Sequence, residues 1–227
     1  MKWDKAIGDA GFAILPPLFS HEYLDELLQE IDEAAPRRSR AGIRHALRLP
    51  AVAAVAREPQ MIEVAREVLG GEAFPFRATL FDKSPAANWL VVWHQDRALP
   101  LRERVEVPGW GPWSVKDGVN YAHAPAAALN QVLALRLSLD DSTPRNGPLR
   151  ILPRTHMLGV LNEDSIHELA MRISPVDCVV DKGGAVAMRP LVVHASSKSQ
   201  VEMPRRVLHI EYAASDVIAK RLQLAVA

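Results

Sequence analysis

From Gly71 onward the chain becomes a series of short β-rich runs with no helices alternating between them, and this limits the fold more than any other feature. The runs cover residues 74–81, 89–94, 132–139, 184–188, 191–194 and 207–212. Turn signals separate them: Ser84-Pro85, Asn146-Gly147-Pro148, Lys182-Gly183-Gly184 and Met203-Pro204. Parallel strands need a long crossover, usually a helix, for each connection, and that rhythm is missing here. The expected class is therefore mainly β with helices (α+β), as a sandwich or jelly roll.

The first 70 residues read differently. Tyr23, Leu24, Leu27, Leu28 and Ile31 follow the three-four spacing of an amphipathic helix, with Ser20 placed to cap it and Pro36-Arg37-Arg38-Ser39-Arg40 to end it. Helices are also expected over residues 50–56 and 59–69, the second stopped by Gly70-Gly71, with a brief strand over residues 12–15. No repeat or linker divides the chain. One domain over residues 1–227 is expected, with a mostly helical part (1–70) packed on a β-core (71–215). Residues 97–130 show little periodicity, so they read as an irregular excursion, a lid or wall beside a site, where Trp110 and Trp113 either stack on substrate or pack the lid.

Lys plus Arg and Asp plus Glu both count 27, so the overall charge favours neither nucleic acid nor an acidic membrane as partner. The opening residues lack the apolar stretch of a signal peptide, and no run is long enough to span a membrane. Cys178 is the single cysteine, which fits a cytoplasmic protein, and its apolar neighbours suggest a core residue rather than a thiol nucleophile.

Chemistry is concentrated in Trp93-His94-Gln95-Asp96. Residues i and i+2 of a strand share a face, so His94 and Asp96 can reach one point. One more histidine would complete two imidazoles and a carboxylate, a set that holds Fe(II) and leaves positions open. His-x-Asp alone is a weak signal, more often explained by a hydrogen bond between the two side chains at a surface strand end. Here a strongly apolar run leads into the motif, which is expected to place the pair at the end of a buried strand, and a second apolar run ends in His194. Strand-end position favours His194 as the third ligand, with His156 and His209 as rivals. In the last run, alternation puts Arg206, Leu208, Ile210 and Tyr212 on one face and Arg205, Val207, His209 and Glu211 on the other. The second face is too polar for a core layer and suits a pocket. The run is expected to pair with the one ending at His194 through the intervening hairpin.

These motifs, taken in order, resemble the phytanoyl-CoA dioxygenase family of Fe(II)/2-oxoglutarate oxygenases. The likeness runs from about Phe81 to Tyr212, through Phe81-Asp82-Lys83-Ser84, Asn88-Trp89, the His94 motif, Leu139-Asp140-Asp141-Ser142-Thr143, Asn146-Gly147-Pro148-Leu149, and His194-Ala195-Ser196-Ser197 followed by Arg205. The resemblance implies a double-stranded β-helix (a cupin-like jelly roll) with N-terminal helices packed on the sheet. It implies Fe(II) held by His94, Asp96 and His194, and 2-oxoglutarate anchored by Arg205 with help from Ser196. It also implies O2 as oxidant and hydroxylation of a small-molecule C–H bond, with succinate and CO2 released. Trp93 and the excursion would bound the substrate cavity, and Arg97, Arg102 and Arg104 beside it would tolerate an anionic group. The family often has Pro-Gly-Ser-His where this chain has Pro153-Arg154-Thr155-His156, so His156 is expected to make a structural hydrogen bond. Two other readings stay open: a cupin-type metal enzyme that does not use 2-oxoglutarate, and a non-catalytic jelly-roll binding module.

Overall fold

Ser20 accepts a hydrogen bond from the Tyr23 amide and so starts a fourteen-residue helix whose Leu24, Leu27, Leu28 and Ile31 are buried, as the spacing requires. The computed structural model that shows this describes residues 2–35, 42–84, 87–219 and 222–227. The expected break at Pro36–Arg40 and the Pro85 half of one turn signal lie outside the described residues. The helical part comprises α1 (Lys2–Ala10), β1 (Phe12–Leu15), α2 (His21–Ala34), β2 (Gly42–Ile43), α3 (Pro50–Val55) and α4 (Pro59–Leu69). Gly70 ends α4 with φ +76°, a left-handed value glycine adopts without strain.

The chain then forms β3 (Phe74–Lys83), β4 (Val91–His94), β5 (Ala98–Leu101), β6 (Trp113–Lys116), β7 (Val119–His123), α5 (Ala126–Leu129), β8 (Val132–Ser138) and β9 (Leu149–Leu152). It continues with α6 (Glu163–Arg172), β10 (Val176–Cys178), β11 (Ala185–Met188), β12 (Val193–Ser196), β13 (Arg205–Ala213), β14 (Val217–Ala219) and β15 (Leu222–Gln223). Six strands in the order β1-β11-β8-β13-β3-β2 form one sheet, and four in the order β10-β9-β12-β4 form a second. All pairings are antiparallel, and the fold is the expected jelly roll.

Helices α1 to α4 cover the outer face of the six-stranded sheet. Leu80, Leu135, Leu137, Leu208, Ile210 and Tyr212 share one buried cluster with the apolar stripes of these helices. Between the two sheets, Ala134, Leu149, Ile151, Val186 and Met188 form a separate apolar layer. The inner face of β3, β8 and β13 departs from this layer, because it carries charged side chains.

Three expectations are corrected. Strand β13 does not form a hairpin with β12: it pairs with β3 and β8, while β12 pairs with β4 and β9 in the other sheet. The connection between them therefore crosses from one sheet to the other. Strand β4 is not a buried strand but the edge of its sheet, with Leu90 and Val92 exposed. Residues 97–130 are not irregular, because β5, β7 and β6 form a three-stranded antiparallel sheet over which Leu99, Leu101, Trp110 and Ala122 are buried. Short four- and five-residue strands with prolines inside and between them give no long periodic signal, which hid this sheet in the sequence.

Candidate functional site

His94 and His194 face each other directly across the β4–β12 ladder, with ring centroids 4.2 Å apart. Strand β12 begins at Val193 and runs through Ser196, so His194 lies near its start and not at its end. Asp96 lies beyond the end of β4, so the same-strand argument for its direction does not hold. Its position is set instead by the Asp96 amide, which donates to the Pro190 carbonyl (2.9 Å). Gln95, buried, reinforces this by donating to the Leu191 and Gly159 carbonyls (2.7 and 2.8 Å) and accepting from the Leu161 amide (2.9 Å).

One nitrogen or carboxylate oxygen from each of His94, Asp96 and His194 lies within 4.8 Å of the others. Nε2 of His94 is 3.7 Å and Nε2 of His194 3.5 Å from the two Asp96 oxygens. Nδ1 of each histidine meets a main-chain carbonyl two residues back, Val92 (2.8 Å) and Val192 (3.0 Å). A carbonyl can only accept, so each proton sits on Nδ1 and each Nε2 lone pair points to the shared centre. Burial holds His194 neutral, with its pKa pushed down to about 3. Two imidazoles with their Nε2 lone pairs turned inward and a carboxylate on one side of an open point fit Fe(II), with coordination positions left for other ligands.

The triad opens into a cavity of about 310 Å³. Arg205, buried as alternation predicted, donates to the Asn146 carbonyl (3.3 Å) and to Ser196 Oγ (3.2 Å). Lys83, 1% exposed, donates to Ser196 Oγ (2.9 Å) and the Ser197 carbonyl (2.6 Å). Ser196 Oγ in turn donates a hydrogen bond to the Gly147 carbonyl (2.9 Å). Gly147 has φ +70°, and a Cβ there would fall 2.3 Å from the Ser197 carbonyl oxygen, so only glycine lets these two loops meet. Arg136 on β8 adds a third buried cation, its Nη1 donating to His209 Nδ1 (2.9 Å).

Among the described residues, none of these three cations has a carboxylate within 4.0 Å. Burial, followed by Arg205 and Arg136, pushes Lys83 down to about 8, and burial, followed by Arg136, pushes Arg205 down to about 10. Three buried positive charges that repel one another and have no carboxylate in contact suit the binding of an anion. Arg206 differs, because its Nε and Nη2 grip Asp140 at 2.8 and 2.6 Å.

Sequence reasoning missed Lys83, Arg136 and Gln95. The sequence does carry a signal for Arg136, which interrupts the apolar run Leu133-Ala134-Leu135-Arg136-Leu137 of a fully buried strand. Lys83 shares its strand face with Arg77, Thr79 and Phe81. Other expectations are also relocated. Trp93 packs with Leu152, Ile166 and Val193 on the outer side of the four-stranded sheet, away from the cavity. Trp110 and Trp113 pack with the small sheet. Arg102 pairs with Asp216 and Arg104 with Glu106 on the surface, and Arg97 lines a different hollow, so none of the three lines the cavity. His156 donates to the Gly8 carbonyl (3.0 Å), a structural bond as expected. His209 lines the cavity but serves Arg136. Cys178 is buried, and burial pushes its thiol up to about 12, which makes it inert.

Comparison with known proteins adds to this geometry. The family described as phytanoyl-CoA dioxygenase (PhyH) matches residues 7–207. The L-proline trans-4-hydroxylase of Streptomyces griseoviridis is 26% identical over 188 residues, covering 70% of this chain and 62% of that protein. The ectoine dioxygenase of Sphingopyxis alaskensis is 24% identical over 196 residues, covering 77% of this chain and 56% of that protein. This chain thus spans about six-tenths of the length of these relatives. Among solved structures, S. alaskensis EctD with 2-oxoglutarate and 5-hydroxyectoine superposes with a TM-score of 0.69 at 21% identity, covering 93% of this chain and 74% of that one. The non-heme alpha ketoglutarate dependent epimerase SnoN gives a TM-score of 0.72 at 15% identity, covering 94% and 80%. At these identities the superpositions establish the jelly-roll fold.

Proposed function

The chain belongs to the phytanoyl-CoA dioxygenase family, and from that premise we propose that it is an Fe(II)- and 2-oxoglutarate-dependent dioxygenase that hydroxylates a C–H bond of a small molecule, releasing succinate and CO2. The observation that carries this is the sharing of one cavity by an open two-histidine, one-carboxylate donor set and a buried cluster of cations with no carboxylate in contact. A cupin-type metal enzyme without 2-oxoglutarate would leave Lys83, Arg136 and Arg205 with no role. A binding module would leave the convergent lone pairs with none.

In this reading His94, Asp96 and His194 hold the iron, and their second hydrogen bonds keep the lone pairs on target. When bound, iron with 2-oxoglutarate and O2 supplies the oxidising chemistry that replaces C–H by C–OH. Arg205 receives the far carboxylate of 2-oxoglutarate in a two-point grip, with Ser196 and Lys83 beside it. Arg136 is held by His209, adding positive potential nearby without entering that grip. Phe81 and Trp89 wall the cavity and keep water from the reacting centre. Names of relatives that specify L-proline and ectoine support a small-molecule substrate, and nothing in the charge balance favours nucleic acid. No described helix is long and apolar enough to cross a membrane. The single, buried cysteine supports a cytoplasmic setting.

Anaerobic titration of Fe(II)-loaded protein with 2-oxoglutarate, followed by air and ascorbate, tests the reading. Binding and conversion to succinate are expected. Iron uptake with no affinity for 2-oxoglutarate would overturn it in favour of the cupin-type alternative.

A further inference from the structure

The cavity has a second cationic end, opposite the one assigned to 2-oxoglutarate. On β3, Arg77 and Lys83 share the inner face six residues apart, a span of about 20 Å at the rise of an extended strand. In the β3–β13 register Lys83 stands opposite Arg205 and Arg77 opposite Glu211, so the two ends of the strand pair carry separate charged groups, and both Arg77 and Lys83 line the cavity that holds the triad.

Three cations line the cavity at the Arg77 end, and two of them, Arg77 and Lys116, lie over the Tyr121 ring. Arg77 is neutralised by Glu211, which it grips with two nitrogens, and Arg44 by Asp117 (3.3 Å). The third, Lys116, rests its ammonium over the Tyr121 ring, 4.9 Å from the centroid. Among the described residues it has no hydrogen bond and no ion pair, though it is half-buried and lines the cavity. The Tyr121 hydroxyl is engaged by His45 Nε2 (2.8 Å), which fixes the ring as a platform for Lys116. Once the metal takes up the Asp96 charge, this end of the cavity has one surplus positive charge and no counter-ion.

We propose that the substrate is a small carboxylic acid and that Lys116 receives its carboxylate, with the bond to be oxidised held over the triad. The proposal rests on the dioxygenase reading, which gives the Arg205 end to 2-oxoglutarate. One surplus charge matches a monocarboxylate better than a phosphate ester. The cavity lies near the lower end of the roughly 300–1,000 Å³ typical of ligand pockets, and it must also hold the cosubstrate, so the acid is small. Cations lacking an acid group are repelled by the same field.

The test uses Fe(II)- and 2-oxoglutarate-loaded protein under nitrogen and a panel of small amino, hydroxy and cyclic monocarboxylic acids, each paired with its primary amide. Thermal shift and ligand-observed NMR read binding. Acids should bind and their amides should not, and Lys116→Met should weaken the best acid about ten-fold. Lys116→Arg should keep most of that affinity, and Lys116→Glu should abolish it. Amides binding as well as acids, Lys116→Met binding as tightly as the parent, or a panel in which no acid binds would each overturn the proposal. Affinity for 2-oxoglutarate, measured on the same samples, separates the two readings. A parent that does not bind it refutes the dioxygenase assignment, whereas a parent that binds it but treats acid and amide alike refutes only the role of Lys116.

Discussion

Two adjacent arginines make opposite predictions, and the structure gives each a magnitude. Arg205 is buried without a carboxylate partner, whereas Arg206 already holds Asp140 with two nitrogens. If the far carboxylate of 2-oxoglutarate completes Arg205, then Arg205→Ala removes one half of a desolvated ion pair. Such a loss costs about 2–5 kcal/mol, or roughly 30- to several-thousand-fold in affinity. Stability should change little. The variant loses two long hydrogen bonds, but it also relieves repulsion with Lys83 and Arg136, so a net change within about 1 kcal/mol is expected. Arg206→Ala should do the reverse, with 2-oxoglutarate affinity within about two-fold of the parent. It leaves a largely buried Asp140 without its cation, at a cost of about 1–3 kcal/mol, which lowers Tm by roughly 2–12 °C in a chain of this size. Anaerobic calorimetric titration and thermal melts on both variants give the crossed pattern directly. Arg205→Lys should recover only part of the affinity, because an ammonium cannot make the two-point grip. Lost affinity in the Arg206 variant with affinity kept in the Arg205 variant would refute the assignment of the pocket face.

Three further outcomes are expected. His94→Ala and His194→Ala should each lose stoichiometric Fe(II) binding while circular dichroism stays that of the parent, since the apolar layers do not include them; metal analysis showing full iron in either would reject that residue as a ligand. Lys83 has its pKa pushed down to about 8 in the free protein, and a bound dianion favours its charged form, so binding takes up a proton: affinity for 2-oxoglutarate should be flat below pH 8 and fall above it by up to about ten-fold per unit, a slope that Lys83→Met should abolish. Hydrogen exchange should show β5 and β7 protected like the main sheets and β6 exchanging faster, because Leu99, Leu101, Tyr121 and Ala122 are buried while Ser114 and Val115 are exposed; uniformly fast exchange across residues 98–123 would mean a mobile lid and not a wall.

The sequence by itself determined whatever depends on near neighbours along the chain. Three-four spacing and a serine cap set α2, proline and glycine bounded α4, and period-two alternation separated Arg205 from Arg206 by facing them to opposite sides of β13. The order of motifs carried the family likeness, and with it the jelly roll. Only the tertiary structure decided which strands became neighbours. Strands β12 and β13 are consecutive in sequence yet lie in different sheets, so His194 and Arg205 belong to opposite walls of the cavity. His94 meets His194 because β4 pairs with β12 across 100 residues, and Asp96 joins them through a hydrogen bond to Pro190 that no local pattern encodes. Lys83 on β3 and Arg136 on β8 reach the Arg205 pocket because both strands pair with β13. An anion site made by cations from three strands exists only after those strands have paired, because strand pairing is set by packing between distant segments, which spacing along one segment does not record.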